Sequence, residues 1–217
     1  MFLKVCCIAS AHEAQLAITA GARALGLVSA MPSGPGCIDE GLIAEIASHV
    51  PPHVESWLLT SHTRARDIAA QHARCRTSAV QLVDQLASRD EYLALRALLP
   101  LVTLVQVVHV VDDSAVGEAH AMAPLVDRLL LDSGNPSLAV KELGGTGRTH
   151  DWAISARIVR ASSVPVFLAG GLTPANVQAA VTAVRPHGLD VCSGVRVTGA
   201  LDPARLMTFA EAAGVRA

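Results

Sequence analysis

Aromatic residues are scarce in this chain: two Trp, one Tyr and three Phe make up 3% of 217 residues. That scarcity removes the stacking platforms that hold single-stranded nucleic acid and the aromatic belts of membrane interfaces. An excess of positive charge is missing too. Seventeen Lys and Arg stand against nineteen Asp and Glu, a formal net charge of -2, which leaves little to displace counterions from a phosphate backbone. No nucleic acid partner is expected. Long apolar runs are also lacking: the most apolar stretch, 93–111, is broken by Arg96, Pro100, Gln106 and His109, short of the roughly 20 residues of a spanning helix. No membrane association is expected. The opening MFLKVCCIASA has no charged segment ahead of its short apolar run, so it reads as a strand and not as a leader. Five cysteines, none in a C-x-x-C pair, suit a reducing cytoplasm better than a disulfide framework or a zinc site. The nine histidines, with no H-x-H pair among them, are read as surface or packing groups, and no metal is expected.

What is present is aliphatic. With 51% hydrophobic and 17% charged residues, the chain can bury one sizeable core, and residues 1–217 are expected to form a single domain. Short β-branched runs alternate with Ala-rich amphipathic stretches from end to end, without a linker or low-complexity segment. Strands are expected at 3–8, 24–28, 54–60, 79–83, 102–110, 128–132, 164–169 and 189–193. Helices are expected near 12–20, 39–48, 64–73, 88–99, 114–122, 151–160, 174–184 and 203–213. Eight β/α units of about 27 residues favour a closed (β/α)8 barrel over an open doubly wound sheet. Loops in so short a barrel must be spare, which makes the two long ones, 29–38 and 133–150, functional candidates at the strands' C-terminal ends.

Chemistry-bearing residues fall on that same rim. Alternation in the first strand puts Lys4 and Cys6 on one face, about 6.6 Å apart, and Val5 and Cys7 on the other. Cys6 is the better choice for the barrel mouth, because a lysine pointing inward beside it stabilises a thiolate; a buried, inert cysteine is the plain alternative. The sixth strand, L-L-L-D-S, delivers Asp132 to its end, where a carboxyl can act as general acid or base, or merely bind loop amides. Glycines then cluster. Gly145 and Gly147 lie in the loop after the sixth strand, Gly170 and Gly171 end the seventh, and Ser193 and Gly194 end the eighth. Bare backbone on consecutive loops of a barrel suits a phosphate held by amide N–H groups.

Taken in order, K-V-C-C-I (Lys4–Ile8), L-L-L-D-S (Leu129–Ser133), G-G-T-G-R-T-H-D-W (Gly144–Trp152), L-A-G-G-L-T-P-A-N-V (Leu168–Val177) and D-V-C-S-G-V (Asp190–Val195) resemble the phosphoribosylanthranilate isomerase family. The resemblance runs from the first strand to the eighth and is strongest from Leu129 onward. It implies Cys6 as general base and Asp132 as general acid in a cofactor-free Amadori rearrangement of an aminoaldose phosphate to an aminoketose phosphate, in tryptophan biosynthesis. Lys4, Gln81 and Arg196 are the expected substrate contacts. The partner is then a small phosphorylated sugar, and the assembly a monomer or homodimer.

Departures from the family pattern gather in the front half. Cys7 follows the cysteine where the family has glycine. Gly36 stands where the family carries an arginine for the anthranilate carboxylate, and such a bidentate grip is difficult to replace. The fourth strand keeps Gln81 but has Val83 in place of histidine. Gln106 occupies a fifth-strand position that is often charged, and Arg196 replaces a glutamate. Arg196 or Arg148 are possible substitute cations. Two further readings follow from these departures: a relative acting on another aminosugar phosphate, and a non-catalytic phosphosugar-binding barrel.

Overall fold

A computed structural model of the chain describes residues 1–32, 34–134 and 149–215. Eight parallel strands close into a barrel: β1 (Phe2–Val5), β2 (Ala24–Val28), β3 (Glu55–Thr60), β4 (Ala79–Leu82), β5 (Thr103–His109), β6 (Arg128–Asp132), β7 (Val166–Leu168) and β8 (Gly188–Val191). Each pairs with the next, and β8 returns to β1 with Lys4 opposite Asp190. Around them run α1 (Ala11–Thr19), α2 (Glu40–His49), α3 (Ala65–Cys75), α4 (Arg89–Leu98), α5 (Ser114–Met122), α6 (Trp152–Ala161), α7 (Val177–Val184) and α8 (Pro203–Ala212). Side-chain caps start several of them: Ser10 accepts from the Glu13 N–H, Asp39 from Leu42, Asp151 from Ala153 and Asp202 from Arg205. These caps satisfy helix N–H groups that have no partner within the helix.

Period-two alternation divides the apolar residues into two layers. Leu3, Val5, Leu25, Leu27, Leu58, Val80, Leu104, Leu129 and Leu131 face the helices, whereas Ala24, Trp57, Ala79, Val105, Leu130 and Phe167 fill the barrel. Half of the few aromatic residues are spent inside: Phe167 meets Trp57 and Phe2 edge-on at 5.2 and 5.1 Å. Below them, Arg128 forks onto both carboxylate oxygens of Glu55 at 2.7 and 2.9 Å and lies over the Phe2, Trp57 and Phe167 rings. The N-terminal end of the barrel is thereby plugged, and the open end is the C-terminal rim.

Expected elements and observed ones agree in kind and order, with two differences at the rim. The first strand stops at Val5 instead of reaching Ile8, because Cys7 adopts φ 60° and turns the chain out of the strand. After β8 the chain makes a 3-10 turn, Ser193–Val195, and then a small antiparallel ribbon of β9 (Arg196–Val197) and β10 (Ala200–Leu201) that the periodicity did not signal.

Candidate active site

Parity along the strands decides which side chains meet at the rim. On β1 the even residues point inward, so Lys4 is fully buried in the barrel and Cys6, 6% exposed, sits above it. Gly26 on β2 makes room for both: a Cβ there would lie 2.8 Å from the Cys6 Sγ and 3.1 Å from the Lys4 Nζ. Lys4 pairs with Asp190 of β8 at 2.9 Å and lies 5.3 Å from the Trp57 ring centre. Burial by itself would favour a neutral Lys4 amine, but Asp190 and Cys6 outweigh it and hold the ammonium above its ordinary pKa. A lysine inside the barrel is therefore matched by an internal carboxylate, and its charge faces the sulfur.

Asp132 ends β6 with its carboxyl inside the mouth, 9% exposed, and accepts the Ser133 N–H at 2.7 Å. Its pKa is raised: burial dominates, the Ser133 amide and the charges of His109 and Lys4 oppose, and Asp190 adds to the rise. Asp190 is likewise raised by burial, against the pull of Lys4. One buried ammonium thus serves two inward carboxyl groups, which favours a proton on one of them. Sequence reasoning quoted Asp190 only within a motif and gave it no role; the signal was an acidic residue inside an otherwise apolar strand.

The fifth strand sends its polar residues to opposite sides. Gln106 does not reach the mouth: it faces outward, where its amide oxygen accepts from the Tyr92 hydroxyl at 2.7 Å and its nitrogen donates to Leu82 and Val107 carbonyls. The inward residues are Val105, Val107 and His109. His109 lies opposite Asp132 in the strand register, and its Nε2 is 3.1 Å from the Val83 carbonyl. A carbonyl only accepts, so Nε2 carries the hydrogen. The imidazole absent from strand 4 is thus supplied from strand 5, anchored on the backbone of the residue that replaced it.

Other expected site residues are placed as follows. Gln81 points into the barrel and is buried, with an unpartnered Oε1. Gly170 and Gly171 turn the chain after β7 at φ 80° and 62°, and Gly170 packs on Ser133, the neighbour of Asp132. Ser193 and Gly194 open the 3-10 turn after β8 and share a surface cavity with Thr173 and Arg205. Gly145, Gly147 and Arg148 lie outside the described residues. Arg196 is engaged by the outer helix α1: it forks onto Glu13 at 2.9 and 3.0 Å and donates to the Cys7 carbonyl at 2.6 Å. Burial would raise the Glu13 pKa, yet Arg196 and the Leu201 and Ala9 N–H groups hold it below the usual range. This ion pair clamps the turn that presents Cys6.

That turn is crowded. Cys7 is 6% exposed in a left-handed conformation that costs an L-residue about 1–2 kcal/mol. Its Sγ stands 2.9 Å from the Cys192 Sγ and 3.5 Å from the Pro35 carbonyl. Among the described residues no group of three or more His, Cys, Asp or Glu is arranged to hold a metal ion, and no helix is long and apolar enough to cross a membrane.

A thiol beside a buried lysine, and across the same rim an inward carboxyl whose own pKa is raised, mark the mouth of a closed (β/α)8 barrel as the site of a barrel enzyme. The comparisons give the family. A family model described as N-(5'-phosphoribosyl)anthranilate (PRA) isomerase matches residues 3–212, and the chain belongs to that family. It is 35% identical to N-(5'-phosphoribosyl)anthranilate isomerase 2 of Methanosarcina mazei, over 98% of this chain and 94% of that one. It is 38% identical to the Haloferax volcanii isomerase over 91% and 85%. The crystal structure of the Thermotoga maritima phosphoribosyl anthranilate isomerase superposes with a TM-score of 0.82 at 26% identity, covering 99% of this chain and 98% of that one.

Proposed function

We infer that the protein is an N-(5'-phosphoribosyl)anthranilate isomerase acting in tryptophan biosynthesis, with Cys6 as general base and Asp132 as general acid. The observation that carries the residue roles is the pairing of an inward thiol beside the Lys4 ammonium with an inward carboxyl of raised pKa. Asp132 donates its proton to the furanose ring oxygen; the ring C–O bond breaks and a protonated Schiff base forms at the anomeric carbon. Cys6 as thiolate takes the proton from the adjacent carbon, giving an enolamine that tautomerises to the ketone. The substrate gains one proton and loses one, so no external oxidant or reductant enters. Each acid–base group of this kind contributes about 10²–10⁴-fold in rate.

The phosphate is assigned to the lip formed by Gly170, Gly171, Ser193 and Gly194, with Arg205 of α8 adding positive charge beside it, and Gly145 and Gly147 complete the set. The apolar side of the mouth, Val28, Leu59, Val83 and Val107 with Met31 at its edge, takes the aromatic ring. Lys4 and Gln81 stand beneath the sugar. Arg196 acts by positioning the Cys6 turn. The enzyme is proposed to work as a single-domain monomer or homodimer in the cytoplasm, on a small phosphorylated sugar and without a cofactor.

One observation favours a second reading. The position of the family's carboxylate-binding arginine is Gly36, packed against Cys7, so a related aminosugar phosphate lacking the aromatic acid is the alternative substrate. Genetic rescue decides between them: a strain deprived of its isomerase regains growth without tryptophan when it carries this chain, and does not regain it with Cys6→Ala or Asp132→Ala. Failure of the parent chain, with folded protein present, favours the second substrate.

A further inference from the structure

Three thiols converge where β1 and β8 end, yet the isomerisation uses only one. Cys6 lies against Gly26 and Lys4 and also interacts with Cys7. Cys7 and Cys192 face each other with sulfurs 2.9 Å apart, and both are free thiols. Bond formation requires closing to about 2.05 Å, less than one further ångström. The two residues are 185 positions apart in the chain and are held side by side just past the C-terminal ends of the parallel pair β1 and β8, where the Cys6 N–H bonds the Val191 carbonyl. Backbone pairing therefore delivers the thiols to each other whatever the state of the substrate site.

We propose that Cys7 and Cys192 are a redox modification site: a hydroperoxide oxidises the pair to a disulfide that switches off the neighbouring Cys6 site reversibly. Cys192 is partly buried and is the more accessible of the two, while Cys7 is buried. Its reactivity fits that order. The Cys7 hydrogen bond and the Arg196 charge lower the Cys192 pKa against the effect of burial, whereas the bonds to Cys192 and Cys6, with burial, raise that of Cys7. The Cys192 thiolate attacks a peroxide oxygen, breaking the O–O bond to give a sulfenic acid, and the departing hydroxide or alkoxide takes a proton from solvent to leave as water or alcohol. Cys7 sulfur then displaces the sulfenic hydroxyl, its own proton leaving with it as water. Two thiols lose two electrons and the peroxide gains them; a cellular dithiol returns the pair to the reduced state by exchange.

Inactivation follows from where the bond sits. Cys7 is covalently next to Cys6, and Cys192 immediately precedes the Ser193–Val195 turn. Drawing the two sulfurs together shifts the base and the phosphate lip relative to each other, and displacements of about 1 Å at such distances cost on the order of 100-fold in rate.

The activity arm of the test rests on the isomerase reading; the mass arm does not. Reduced full-length protein is treated with hydrogen peroxide, digested without reductant and mapped by mass spectrometry, in parallel with turnover of N-(5'-phosphoribosyl)anthranilate before treatment, after it, and after dithiothreitol. The proposal expects a link between the Cys6–Cys7 peptide and the Cys192 peptide that persists in Cys6→Ser and vanishes in Cys7→Ser and Cys192→Ser. Turnover should fall at least tenfold with the link and return with dithiothreitol, while Cys192→Ser keeps its turnover under the same peroxide. Absence of the link, a link made through Cys6 or Cys37 instead, or a link that leaves turnover unchanged overturns the proposal. Reduced protein with no turnover at all counts against the isomerase reading, and the mass arm still reads the pair.

Discussion

Cys7 occupies the room that a side chain at position 36 would need. A Cβ on Gly36 would fall 2.5 Å from the Cβ of Cys7 and 3.2 Å from its Sγ, and Gly36 itself sits at φ 76°. In the family pattern bulk lies at the loop position and glycine follows the cysteine; here bulk lies at residue 7 and glycine at residue 36. By the resemblance, the missing arginine and the extra cysteine then compete for one volume, and the two changes are expected to be coupled.

Returning the arginine alone should therefore fail. Gly36→Arg meets Cys7 and a backbone conformation unsuited to an L-residue, and is expected to destabilise the fold by about 1–3 kcal/mol in urea denaturation. Combined with Cys7→Gly, most of that loss should be recovered. The double variant should also show a lower KM for N-(5'-phosphoribosyl)anthranilate than wild type, because a bidentate carboxylate grip has been added. Additive destabilisation in the double variant would contradict the coupling.

Gly26 is the wall that lets Lys4 and Cys6 share one side of the mouth. Gly26→Ala places its methyl 2.8 Å from the Cys6 Sγ and 3.1 Å from the Lys4 Nζ, so both must shift. Turnover is expected to fall by about 100-fold, with KM changed far less, since displacement of the base acts on the chemical step. Steady-state kinetics on the folded variant check this; wild-type kcat would refute the placement of Cys6.

Asp132 links catalysis and stability to pH with a determinate sign. Its folded-state pKa lies above the ordinary 3.8, so the folded protein holds this proton more tightly than the unfolded chain. The stability it lends is complete below the unfolded pKa and is lost as pH rises through the raised folded value. Asp132→Asn, which needs no ionisation, should therefore be more stable than wild type at neutral pH, with the gap closing in acid. Its turnover should drop about 10²–10⁴-fold. Denaturation midpoints of the two proteins across pH test the sign, and a variant less stable at neutral pH contradicts it.

Lys4 and Asp190 form a pair whose halves depend on each other. Lys4→Met leaves a buried carboxylate without its ammonium and is expected to cost about 3–5 kcal/mol. Lys4→Met with Asp190→Leu removes both charges and should regain much of that stability while leaving the enzyme inactive. A double-mutant cycle in urea reads the coupling; independent effects of the two changes would show that the 2.9 Å contact does not hold the site.

Much of this was legible in the residues before any coordinates. Alternation of period two with amphipathic helices is a local signal, and it yielded eight strands, eight helices and closure; it also put Cys6 and Asp132 on one rim, because Cys6 lies toward the C-terminal side of the expected first strand and Asp132 ends the sixth. What escaped was either tertiary or a matter of parity. Nothing local ties Lys4 to Asp190, which are brought together only when the barrel closes. Counting by twos along β5 separates Gln106, which turns outward to Tyr92, from His109, which stands opposite Asp132 at the mouth and was given no role in the sequence reading. The early end of β1 depends on the left-handed turn at Cys7, a conformation that cysteine rarely signals. Arg196 looked free because its partner, Glu13, is 183 residues away.

The division of labour between sulfur and carboxyl is tested most directly by single-turnover conversion of N-(5'-phosphoribosyl)anthranilate by wild type and Cys6→Ala, with Asp132 intact. The account predicts conversion by wild type and a rate lower by at least about 10² in Cys6→Ala, with substrate still bound. A Cys6→Ala protein that turns over within threefold of wild type would contradict it.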